Sequence, residues 1–172
     1  MSDPQKILLI GFGNPGRLDD GLGPALAQAI EEMALPNVTV DIDYQVSVEH
    51  AQAIAGCDRV VFADASTDCP EPFSFTRIEP AEHLSFSSHS LSPAAAMSLA
   101  GELFAAKAEG YILAVRGYDF NEFGERLSAA AMDNLAAATA FARTLLSGGD
   151  WAQVRPWRCE EPASSATAVN RI

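Results

Sequence analysis

"KILLIGFGNPGRLDDGLGPALAQAIEEM", Lys6 to Met33, passes from an unbroken apolar run through a loop with five glycines into a segment with apolar residues at helical spacing. A short continuous apolar run that ends in Gly is the pattern of a central parallel strand covered on both faces. Pro24 stands where a helix can start without losing a hydrogen bond, and Leu26, Ala27, Ile30, Met33 and Ala34 recur with helical period. Strand, loop and helix in that order open an α/β fold.

The remainder of the chain repeats the alternation. "VTVDIDY" from Val38 reads as a second strand. "SVEHAQAIAGC" reads as a helix opened by Ser47 and stopped at Gly56. "DRVVFADAS" from Asp58 is a third strand, and "FSFTRIEP" from Phe73 a fourth, more exposed one. Pro93 opens an Ala-rich helix to about Ala108, "GYILAVRGYDF" from Gly110 is a fifth strand, and a last helix spans Ser128 to Leu146. The expectation is a single-domain three-layer α/β/α sandwich with an open, mostly parallel five-stranded sheet. The domain covers residues 1–147. Residues 148–172 lack periodicity and read as a poorly ordered tail, with Trp151 or Trp157 docking on the body.

A chain of 172 residues is long enough for one cored domain. Its 48% hydrophobic and 20% charged residues are those of a soluble globular protein. The net charge of -12 repels a phosphate backbone and argues against nucleic acid as partner. No apolar run is long enough to cross a bilayer, and "MSDPQK" has no signal-peptide apolar region, so a cytoplasmic protein is expected. Cys57, Cys69 and Cys159 are widely spaced and odd in number, which reads as three free thiols.

The loop from Gly11 to Pro24 raises a specific question, because Gly11, Gly13 and Gly16 have the spacing of a phosphate cradle. A dinucleotide site needs its helix to begin at the third glycine, whereas Gly21, Gly23 and Pro24 push the helix start downstream. Asp19 and Asp20 would also repel a bound phosphate. The loop is therefore read as a holder of carboxylates, with helix N-capping accounting for one of the two. Asp64 closes the apolar "VVFADA" and is costly to desolvate unless it is paired, ligates something or makes an Asx turn. His89, in "SSHSLSP", lies between the fourth strand and the Pro-started helix. His50 and His83 read as local structural histidines. In an open α/β sheet, ligand sites form beyond the carboxyl ends of the strands. Asp20, Asp64 and His89 on loops at that side would make a set suited to a borderline divalent metal, with positions left open.

"GFGNPGRLDDGLG", "VVFADA" and "SSHSLSP", in that order, resemble the hydrogenase maturation proteases, nickel-dependent endopeptidases. The resemblance spans roughly Lys6 to Leu146. It implies an α/β/α fold and removal of a C-terminal extension from a [NiFe]-hydrogenase large subunit precursor after nickel insertion, with the nickel presented by the substrate. Carried over position by position, the metal-recognising residues are Asp20, Asp64 and His89, and the carboxylates that could act as general base are Asp20 and Asp64. Many relatives carry Glu where this chain has Asp20. "DYQVSVEH" stands where some carry a Gly-rich turn, and "VRGYDFNEFGERLS" replaces the usual segment before the last helix. A monomer is expected, with no nucleic acid and no membrane as partner. The rival expectations are a nickel-sensing assembly chaperone that does not cleave, and a Rossmann-type nucleotide-binding module using Asp41 or Asp43.

Overall fold

Ile7–Phe12 forms the first strand, β1, with every residue buried except the last. It needs cover on both faces, and the computed structural model, which describes residues 4–79 and 91–153, supplies it. Along the chain β1 is followed by α1 (Leu22–Glu32), β2 (Val38–Asp43), α2 (Val48–Ala55), β3 (Arg59–Ser66), β4 (Phe73–Arg77), α3 (Pro93–Phe104), β5 (Glu109–Arg116) and α4 (Ala129–Leu146). The sheet order is β2-β1-β3-β5-β4, with β4 antiparallel to β5 and the other neighbours parallel.

Side-chain alternation divides the strands between two cores. Ile7 and Leu9 of β1, Val61 and Ala63 of β3, and Tyr111, Leu113 and Val115 of β5 pack under α1 and α4. Leu8, Ile10, Val60 and Phe62 face α2 and α3 instead. The fold is thus the expected three-layer sandwich with a mostly parallel five-stranded sheet. None of its helices, among the described residues, is long and apolar enough to cross a membrane.

Three boundaries differ from the sequence reading, each for a local reason. A 3-10 turn at Leu18–Gly21 runs directly into α1, which begins at Leu22, so Pro24 is the third helical residue instead of the first. The leading helical N–H groups have no intrahelical acceptor, so a proline there removes nothing. Helix α3 stops at Phe104 and not near Ala108, because Ala105 adopts a left-handed conformation (φ 52°) that no glycine advertises. Strand β5 ends at Arg116 rather than Phe120, since the following segment turns away to meet the Gly-rich loop.

Trp151 docks on the body as expected, 4.9 Å from the Tyr111 ring and beneath the Arg59 guanidinium at 4.7 Å. Trp157 and Cys159 lie outside the described residues, while Cys57 and Cys69 are free thiols. Arg59 is in turn tied to Glu109 at 3.2 Å, and Glu109 to Arg77 at 2.8 Å. Trp151→Ala should cost about 2–3 kcal/mol, as truncation of a large, half-buried aromatic does. Urea unfolding of the two proteins measures it.

Candidate functional site

The glycines of the first loop serve close packing. A β-carbon on Gly23 would lie 2.4 Å from the Phe12 carbonyl oxygen and 2.5 Å from that of Ala63. One on Gly11 would meet the Ala27 β-carbon at 2.4 Å. The start of α1 is therefore pressed onto the carboxyl ends of β1 and β3, and the residues just before it are delivered to that rim.

The loop's amides are already occupied. Gly13 N–H donates to Asp43 O, Asn14 N–H to the Asp20 carboxylate, Gly16 N–H to the Asn14 side chain and Arg17 N–H to Asn14 O. Leu18, Asp19 and Asp20 donate to Gly124 O, Asp119 O and Arg17 O. A phosphate cradle needs such groups to point at the anion; here each has a protein acceptor. The two acids that a nucleotide-binding reading would use are also placed otherwise. Asp41 faces the His50 imidazole at 3.5 Å, and Asp43 accepts from the Tyr44 N–H at 2.6 Å.

Asp19 and Asp20, adjacent in sequence, have different surroundings. Neither caps α1, whose N-cap is Gly21 without a side-chain bond, so the N-capping expectation is corrected. Asp19 is fully buried. Its carboxylate accepts from Tyr118 N–H (2.8 Å), Asp119 N–H (2.9 Å), Ser128 N–H (2.7 Å) and the Ser128 hydroxyl (2.7 Å). Burial raises its pKa, but those bonds outweigh it and hold the carboxyl below the ordinary value. Asp20 is half-buried and binds the Asn14 N–H at 2.9 Å.

Asp64 lies two residues inside the end of β3, one position beyond the Ala63–Gly11 pair. It does not end the strand in an Asx turn, since β3 continues to Ser66. By alternation with Val60 and Phe62 its side chain belongs to the face covered by α2 and α3. Its carboxylate accepts from the Ala65 N–H at 2.8 Å. Burial pushes its pKa up to about 7; the Ala65 bond opposes the rise, and the charge of nearby Asp20 adds to it. The Asp20 charge is thus felt at Asp64. A carboxyl pair of this kind can hold a proton near neutrality, act as general base, or accept a divalent cation.

The raised pKa has a stability consequence. An acid with an unperturbed pKa of about 4 is favoured neutral by this fold, so its contribution is whole below that pH and lost as pH rises through about 7. Asp64→Asn, neutral throughout, should therefore gain a few kcal/mol on the wild type between about pH 4 and pH 8, read by urea unfolding of metal-free protein across that range.

His89 and His83 lie outside the described residues. The chain re-enters at Leu91, whose N–H donates to Val46 O just past the carboxyl end of β2, and Ser92 caps α3 by accepting the Ala95 N–H. Among the described residues, no three His, Cys, Asp or Glu side chains are grouped to hold a metal ion. His50 is buried and structural, and its Nδ1 accepts the Ser47 N–H at 2.9 Å at the start of α2. Sequence reasoning missed the bond of Asp19 to Ser128, because nothing local links residues 109 positions apart.

No protein-family model matches the chain, and no curated protein matches it. Solved structures do. The [NiFe] hydrogenase maturation protease HycI from Thermococcus kodakarensis superposes with a TM-score of 0.65 at 22% identity, over 84% of this chain and 94% of that one. The endopeptidase HycI from Escherichia coli gives 0.61 at 19% identity, over 91% and 99%. The hydrogenase maturating endopeptidase HybD from E. coli gives 0.59 at 20% identity, over 83% and 94%. The chain has the fold of these proteins.

Proposed function

We propose that this chain is an endopeptidase of hydrogenase maturation, removing the C-terminal extension of a [NiFe]-hydrogenase large subunit precursor after nickel insertion. The observation that carries the reading is the Asp20–Asp64 pair at the carboxyl rim of a sheet folded as in the maturation proteases. Asp20, Asp64 and His89 recognise nickel held by the substrate. For His89, support comes from its place in the chain two residues before Leu91, which is fastened at that same rim.

The donor set fits the task. Carboxylate and imidazole ligands suit a borderline divalent ion, and protein ligands few in number leave room for those of the substrate. A cation arriving between the two acids opposes the burial and the Asp20 charge that raise the Asp64 pKa to about 7, so docking of loaded substrate favours its ionised form. The ionised carboxylate is then available to take a proton from a water beside the scissile bond as general base. Metal-free substrate leaves Asp64 partly protonated at neutral pH and the site unanchored. Metal loading and cleavage are coupled in this way through one carboxyl group.

The test is a processing assay with nickel-loaded and metal-free precursor side by side. Cleavage of the loaded form alone is expected. Equal cleavage of both would remove nickel from the mechanism. A loaded precursor that binds but keeps its tail would make the chain an assembly chaperone instead of a protease.

A further inference from the structure

We propose, resting on that functional reading, that Asp19 is a positioning residue whose bonds to the 117–128 segment fix the backbone from which Asp20 reaches the site. An acid beside a helix start ordinarily serves that helix. The Asp19 side chain does not serve α1. All the hydrogen bonds of its carboxylate reach Tyr118, Asp119 and Ser128, and Ser128 is the N-cap residue of α4.

The contact is a clamp made of more than one side chain. Asp19 N–H donates to Asp119 O at 2.9 Å, Leu18 N–H to Gly124 O at 2.9 Å, and Gly124 N–H returns to Gly16 O at 2.8 Å. Leu18 is held at φ 52°, a left-handed conformation that a leucine adopts only under constraint. That turn sends Asp19 inward. Asp20, the next residue, is fixed from the other side: its carboxylate holds the Asn14 N–H, and a β-carbon on Gly13 would lie 2.1 Å from its carbonyl oxygen. Asp20 is thus gripped between Gly13–Asn14 and the clamped Asp19. Releasing the clamp frees the peptide plane before it, and a displacement of about 1 Å is enough to spoil a ligand or base.

Asp19→Asn keeps the size but replaces an acceptor oxygen with a donor, leaving N–H groups unpaired. Ser128→Ala removes the hydroxyl bond to Asp19 together with the α4 cap bond from the Ala131 N–H, leaves the three amide bonds to Asp19 in place, and protects the test if Asp19→Asn does not fold. Two readings are taken on each. Hydrogen exchange at the Asn14 amide, relative to that of Leu9 in β1, should quicken about tenfold in Asp19→Asn and less in Ser128→Ala. KM for nickel-loaded precursor should rise about tenfold in Asp19→Asn, whereas a purely structural role would reduce the amount of folded enzyme and leave KM alone. Wild-type Asn14 protection or wild-type KM in a folded variant overturns the proposal. If the wild type cleaves no precursor, the functional reading falls, and the Asn14 amide still decides whether Asp19 positions Asp20.

Discussion

Asp64→Asn and Asp20→Asn, made singly, are each expected to slow precursor processing about a thousandfold. That factor combines loss of a general base, which contributes roughly 10²–10⁴, with loss of an anionic anchor for substrate-held nickel. Both substitutions preserve volume, so packing is not at issue. The distinguishing feature is the sign of the stability change. Asp64 is a half-buried acid whose pKa this fold raises to about 7, and removing its charge relieves the fold at neutral pH. An enzyme that loses activity while gaining resistance to urea is the signature of a group kept for chemistry. The double variant should be no slower than the poorer single one, because groups that act as a unit do not add. His89→Ala should fall into the same class. Processing at the wild-type rate by Asp20→Asn or Asp64→Asn would remove that residue from the site.

The second large effect is on folding. Gly23→Val should destabilise by more than about 4 kcal/mol and leave little soluble protein, because two backbone carbonyl oxygens stand where the new β-carbon must go. A flexible neighbour could rotate away; the Phe12 and Ala63 carbonyls are parts of central strands and cannot. Gly11→Val should be similarly damaging, since its new side chain would meet Ala27 and the Gly23 carbonyl. Gly101→Ala is the control. A β-carbon on Gly101, within α3, would lie 4.0 Å from its nearest neighbour, the Ala106 carbonyl oxygen, so a gain of about 0.5–1 kcal/mol from helix propensity is expected. Urea midpoints of the soluble variants, and soluble yield for the others, measure the series.

Much of the architecture was legible because the strands of a two-faced sheet are written as unbroken apolar runs. "KILLI" and "RVVFA" needed no other signal, and Ser47, Gly56, Pro93 and Ser128 marked helix ends through chemistry local to them. The end of α3 was not legible, since Ala105 does by constraint what glycine does by preference. Asp20 and Asp64 could be read as candidate site residues from their company: an acid after a buried strand, and acids in a loop whose glycines bring helix and sheet together. The division of labour between Asp19 and Asp20 could not. Two neighbouring aspartates look alike until Ser128 is known to stand beside one of them, and that information is tertiary. His50 was read as structural and is so, although its partner in the cap, Ser47, is the only part of the arrangement that a sequence motif signals.

The clamp between the Gly-rich loop and the 117–128 segment also sets a schedule. Its two halves are made far apart in time on a ribosome, and the first waits for roughly a hundred further residues before its counterpart exists. A nascent chain that has finished β1, α1 and β3 already carries both acids of the rim but lacks the half of the clamp that holds Asp19 beside the first of them. The carboxyl rim is therefore completed late, only once β5 and the 117–128 segment have been made.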